Sequence, residues 1–201
     1  MESEKIHQSI QALKQADTAH DIHPLLKKRW SPRAFADRDI PQEILNELFE
    51  AARWAASSMN EQPWQYVYAR KGTQAFDEII QRVMPGNQVW AKEAPVILVA
   101  LKRSTFERNG KPNPGANHDL GMANAQLVLQ AAHRDIYVHM MGGFFRDQMN
   151  DYLQLEENVG SAVVMALGYM GEVDQLEEPY KSRETTPRTR KPISAFVKAL
   201  N

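Results

Sequence analysis

The chain has 201 residues, 43% of them apolar and 24% charged, a balance that suits one globular domain with a sizeable core and excludes wholesale disorder or a fibrous repeat. Its 24 Lys and Arg stand against 25 Asp and Glu, so a net charge of -1 gives no broad electrostatic basis for a nucleic-acid or anionic-membrane partner. The absence of cysteine removes disulfides, thiolate metal sites, iron–sulfur clusters and thiol nucleophiles, and leaves any redox chemistry to a bound cofactor.

Ile6, Ile10 and Leu13 recur at helical spacing, so residues 4–16 read as a short amphipathic helix, followed by a linker from Asp17 to Pro24. Residues 1–17 mix charges throughout and lack the apolar core of a secretory signal. No later stretch reaches the length of a membrane span, so a cytoplasmic location is expected. Pro41 opens a second helix whose apolar stripe is Ile44, Leu45, Leu48, Phe49 and Ala52. Gln65 to Arg70 is aromatic and β-branched, and residues 94–102, APVILVALK, form the near-continuous apolar run of a strand covered on both faces. Between them, Gly72 to Met84 carries a helical pattern through Phe76, Ile79, Ile80 and Val83.

Residues 103–119 are dense in Gly, Pro and Asn and read as an exposed loop or lid. Asp119 is positioned to cap the helix that follows, which stays free of charge until His133 and Arg134 and therefore suits a central or subunit-interface position. After the short segment 136–145 comes a polar helix around Arg146 to Leu153, then SAVVMALGYM, residues 161–170, a second buried strand. The acidic run 172–180 reads as solvated loop, and ISAFVKAL, residues 193–200, as a short amphipathic helix. Interleaved strands and helices favour an α/β or α+β layered fold.

Four segments carry candidate chemistry. RWSPRAF, residues 29–35, places Arg29, Ser31 and Arg33 where they can donate charge-assisted hydrogen bonds to a phosphate or an electron-rich ring, although Arg and Ser before a helix are more often plain surface residues. AASSMNEQPW, residues 55–64, ends a helix in Ser57, Ser58, Asn60 and Gln62, which can cap or turn the chain. Gln62 beside Trp64 also offers an amide and an indole to a planar heterocycle. Gly142 and Gly143 let backbone approach a flat ligand, but lack the spaced glycines of a dinucleotide fingerprint. Arg188 and Arg190 alternate in PRTRKP and in an extended segment can clamp one dianion; a basic surface segment is the plainer alternative. The six histidines show no HExxH-like arrangement, and no metal is expected.

The order of these pieces, RWSPRAF, then AARWAASSMNEQPW, an uncharged helix, MMGGF, a GYM strand end and a terminal R-x-R-K-P, resembles the nitroreductase family over about Leu25 to Val197. The resemblance implies an α+β three-layer sandwich, a mostly antiparallel central sheet flanked by helices, with residues 1–24 as a helical extension and 25–201 as the FMN-binding domain. It implies a homodimer with sites at the interface, and no nucleic-acid or membrane partner. Arg29, Ser31, Arg188 and Arg190 are expected at the FMN phosphate, Arg33 near the pyrimidine edge of the ring, the Gly142 and Gly143 amides as donors to flavin N5 and O4, and Trp30 and Met141 also at the cofactor. Ser57, Ser58, Met59, Asn60 and Gln62 are expected to arrive from the second subunit. The implied reaction is ping-pong: NADH or NADPH gives hydride to flavin N5, and a small electron-poor acceptor, such as a nitroaromatic or quinone, takes its place. No side chain is expected to act as a catalyst in its own right. Relatives that dehalogenate, oxidise peptides or fragment flavin, and a flavin binder without turnover, are the alternatives. Ala56 stands where the family often has proline, and Met59 where a small residue is common, which reshapes the cavity beside the ring. The extension is free to wrap a partner subunit.

Overall fold

Alternate side chains of a strand leave on opposite faces, and in Val96–Arg103 both faces are covered: Ile97, Val99 and Leu101 join one apolar core while Val96, Leu98 and Ala100 join another. That is why the run carries no polar residue before Lys102. The computed structural model describes residues 2–200, with side chains from residue 8 onward. Strands β1 (Trp64–Arg70), β2 (Val96–Arg103), β3 (Ile136–Met141) and β4 (Val159–Tyr169) form a sheet of order β1-β2-β4-β3 in which every neighbouring pair is antiparallel. Val99 is level with Val67 on one side and Val164 on the other, and a register shift follows at Ala100/Leu101.

The helices are α1 (Glu2–Lys14), α2 (Pro24–Lys28), α3 (Gln42–Arg53), α4 (Gln74–Gln81), α5 (Pro85–Ala91), α6 (Ala116–His133), α7 (Arg146–Tyr152) and α8 (Tyr180–Glu184). Leu45, Leu48 and Ala52 of α3 and Leu120, Ala123, Leu127 and Ala131 of α6 close one face of the sheet. Phe76, Ile79 and Ile80 of α4, Trp90 of α5 and Met149 of α7 close the other. The result is the expected α+β three-layer sandwich. Each fully buried Leu or Ile adds about 1.5 to 3 kcal/mol, so the two cores supply most of what holds the layers together. No helix among the described residues is long and apolar enough to cross a membrane.

Several expectations are corrected. Helix α6 starts at Ala116 with Gly115 as its cap, so Asp119 lies in its first turn and does not cap it. Asp119 instead accepts the Ser58 N–H at 3.1 Å and ties down a neighbouring segment. Residues 85–91, which carry no clear periodicity, form α5 because Pro85 presets the first helical turn. The acidic run is not wholly solvated: Val173 is buried in a one-turn 3₁₀ helix, and Tyr180 begins α8. At the C-terminal end only Ile193–Ala195 forms a helical turn, and Phe196, Val197 and Leu200 are exposed. Eight residues cannot offset helix nucleation without a surface to pack on.

Helix α1 packs on its own chain. Ile10 packs with Trp30, Tyr137, Met170 and Val173, and Gln11 donates to the Tyr137 hydroxyl at 3.2 Å. The side chain of Ile6, part of the expected stripe, lies outside the described residues.

Candidate cofactor site

After α2 the chain turns extended at Arg29 and is laid against the end of β4: Ala36 N–H donates to Tyr169 O, and Gly171 N–H to Ala34 O, both at 2.9 Å. Pro32 O accepts the His139 Nδ1 proton at 2.8 Å, which fixes the neutral tautomer of that imidazole. Burial, with the Arg33 charge adding to it against the pull of the Pro32 hydrogen bond, lowers His139 to about 4. The ring lies 4.4 Å from that of Trp90. Segment 29–35 is thus held by backbone contacts, and its alternate side chains are free to face outward.

They face a cavity of about 180 Å³ lined by Lys14, Arg29, Trp30, Ser31, Arg33, Arg183, Glu184, Arg188 and Arg190. Six cationic side chains share it with one carboxylate. Arg188 spans the wall, its terminal nitrogens donating to Arg29 O at 2.5 Å and Lys27 O at 2.7 Å. Among the described residues its Nε is buried with no partner. Burial and the neighbouring Arg190 lower the Arg29 guanidinium below its ordinary range, and burial with Arg29 and Arg190 does the same at Arg188. Glu184, 1% exposed, accepts the Arg33 N–H at 3.1 Å and the Arg33 guanidinium at 3.4 Å, and burial pushes its carboxyl up. An orphaned buried donor and a surplus of positive charge fit a dianion such as a phosphate monoester, which needs several donors once it leaves water.

Met141, Gly142 and Gly143 end and follow β3, the strand whose His139 is tied to Pro32 of the arginine segment. Met141 is 2% exposed and its side chain belongs to the core, so only its backbone is available to a ligand. Gly142 is exposed with open space where a Cβ would stand. At Gly143 a Cβ would lie 3.1 Å from Asn87 Nδ2 and 3.4 Å from the Met84 sulfur, a tight fit that these side-chain ends would have to yield to. Lys14, Asn87, His139, Arg183 and Glu184 are the residues that sequence reasoning missed. Only Lys14 left a signal, its position four residues after Ile10 on one helical face.

Ser57, Ser58, Met59, Asn60 and Gln62 lie elsewhere. They precede β1, at the opposite edge of the sheet from β3, three interstrand spacings or about 14 Å away. Met59, Asn60 and Gln62 have φ of 57°, 56° and 51°, and Met59 is 69% exposed. The segment is held by Asp119 at Ser58, by the Ser57 hydroxyl accepting Gln62 N–H at 3.0 Å, and by Gln62 Nε2 donating to Asn60 O at 3.1 Å. Glu61 also accepts Glu107 N–H, which joins the 104–115 loop to it. Among the described residues no group that could bind a metal is found.

The sequence pattern of the Nitroreductase family matches residues 26–86 and 70–169. A protein of Methanothermobacter thermautotrophicus provisionally named NADH dehydrogenase/NAD(P)H nitroreductase is 31% identical over 114 residues, 56% of this chain and 56% of that protein. The chain thus matches just over half the length of that relative. A protein of the same name from Archaeoglobus fulgidus is 26% identical over 72% of this chain and 83% of its own. A crystal structure described as an oxidoreductase containing FMN is similar with a TM-score of 0.86 and 32% identity, over 90% of this chain and 93% of that one. A nitroreductase-fold structure from Desulfovibrio desulfuricans, solved in complex with FMN, superposes with a TM-score of 0.70 at 20% identity over 90% of this chain and 99% of its own. With more than half of its residues matching the family's pattern and a solved structure of 32% identity superposing over 90% of it, the chain belongs to the nitroreductase family.

Proposed function

We propose that this protein is an FMN-dependent oxidoreductase that takes hydride from NADH or NADPH and passes it to a small electron-poor acceptor such as a nitroaromatic or quinone, working as a homodimer. The observation that carries the reading is the cationic cavity with the buried, unpartnered Arg188 Nε. The FMN of the solved relative at 32% identity supports the choice of phosphate monoester, and the names of the archaeal relatives support the nicotinamide donor.

On this reading Arg29, Ser31, Arg188 and Arg190 bind the phosphate, and residues 25–201 make up the flavin-binding domain with 1–24 as its extension. Trp30, buried against Tyr137 at 6.0 Å, holds the arginine segment to β3. Arg33, paired with buried Glu184, sets a cation beside the ring edge where reduction brings negative charge. Gly142 and Gly143 present backbone along the ring, with Met141 locked in the core behind them. Bound FMN supplies the two-electron chemistry in ping-pong fashion, so the protein needs no nucleophile of its own. Ser57, Ser58, Met59, Asn60 and Gln62 complete the site across the dimer, because within one chain they sit at the far edge of the sheet.

The test is spectral. The purified protein, reconstituted with FMN, is expected to show flavin absorption that NADH or NADPH bleaches anaerobically and an added quinone or nitroaromatic restores. Arg29→Ala with Arg190→Ala should weaken FMN binding at least tenfold, about 1.4 kcal/mol, with little change in thermal stability without flavin. Protein that no FMN concentration colours would end the reading.

A further inference from the structure

Helix α1 lies outside the residues matched by the family pattern, yet it contributes a side chain to the cavity. Lys14, at its last turn, is 4% exposed. Its Nζ donates to Arg183 O at 2.7 Å and Thr186 O at 2.6 Å and stands 4.9 Å from the Trp30 ring centre. Those two carbonyls flank the turn that leaves α8 and leads to Arg188 and Arg190. An ammonium has three protons, so a third remains after both carbonyls are served. Burial lowers the Lys14 ammonium, Arg33 and Arg188 push the same way, and only Glu184 opposes them. A buried cation set among arginines weakens the folded chain unless something anionic answers it.

We propose that Lys14 is a positioning residue of the phosphate site, pinning the start of the arginine-bearing arm so that Arg188 and Arg190 meet the phosphate from a fixed backbone. This rests on the reading that the cavity takes the FMN phosphate. It makes α1 a wall of the cofactor site that acts within its own chain.

The experiment compares full-length wild type, Lys14→Met, Lys14→Arg and Arg190→Ala, freed of flavin and titrated with FMN and with riboflavin, which has the ring and no phosphate. Lys14→Met is expected to lose about tenfold or more in FMN affinity, the scale of one charge-assisted contact, with riboflavin affinity changed by less than about twofold. Lys14→Arg should recover most of the loss. If Arg190→Ala weakens FMN binding and Lys14→Met does not, the proposal is overturned while the phosphate reading stands. If neither substitution matters, the phosphate reading itself fails and takes the proposal with it. If Lys14→Met weakens FMN and riboflavin equally and lowers the flavin-free melting temperature, Lys14 serves the fold alone and the proposal is overturned. Should Lys14→Met not fold, Lys14→Gln, which keeps a donor without the charge, is read by the same comparison.

Discussion

At Gly171 the lack of a side chain lets residues 34–36 lie directly on the end of β4; a Cβ there would come within 2.5 Å of the Phe35 carbonyl group. Gly171→Ala is therefore expected to cost about 2 to 3 kcal/mol, the upper part of the range for overpacking. Urea unfolding measures it, and an unchanged midpoint would mean that the backbone yields easily. His139 supplies a pH dependence. Its folded-state value, about 4, lies below the ordinary 6.5, so between those values the unfolded chain binds a proton that the folded chain refuses. The stability it contributes is complete above pH 6.5 and is lost as pH falls towards 4, up to about 3 kcal/mol. Carboxylates titrate in the same range, so the check is the difference from His139→Asn, whose amide can still donate to Pro32 O; parallel curves would contradict the assignment. Neither residue was legible as a determinant of the site, because a contact with Phe35 or Pro32 is a long-range fact with no periodic signature.

Among elements, the 57–62 segment shows how local rules and tertiary partners combine. Its Ser, Asn and Gln content reads correctly as a turn after α3, but three left-handed residues outside glycine each cost about 1 kcal/mol or more. Asp119, 3% exposed on α6, offsets part of that by accepting the Ser58 N–H. Asp119→Ala should destabilise the protein by about 1 kcal/mol, the net worth of one hydrogen bond whose donor, on exposed Ser58, can turn to water. On the dimer reading it should also weaken FMN binding, which flavin titration measures; unchanged affinity would separate this segment from the site. Strands β2 and β4 were legible because a two-sided strand must be apolar throughout, whereas β3, read only as a short segment, was not. Helix α5 and the failure of 193–200 to form a helix were not, since short elements live by what they pack on, and Trp90 of α5 is buried by Phe35 and His139 from distant parts of the chain.

At the scale of the whole molecule, α6 buries one face on the sheet and leaves Gly121, Met122 and Ala125 exposed, a strip of small and apolar side chains without charge. If that strip meets its copy in a second subunit, Ala125→Arg should shift the protein to monomer by light scattering and reduce FMN affinity with it. A dimer that persists would place the interface elsewhere. By itself the sequence determined the two buried strands, the main helices, a layered α/β or α+β class and the identity of the arginine, Ser-Asn and Gly-Gly segments, because hydrophobic period and donor chemistry are local properties of a chain; the antiparallel sheet was implied by the family resemblance. Only the tertiary structure decided that Arg29, Ser31, Arg33, Arg188 and Arg190 share one cavity, that Lys14 and Glu184 belong to it, and that residues 57–62 lie at the far edge of the sheet. Those facts depend on strand order and on which backbone carbonyls a buried cation finds, and neither is written in the spacing of residues along the chain.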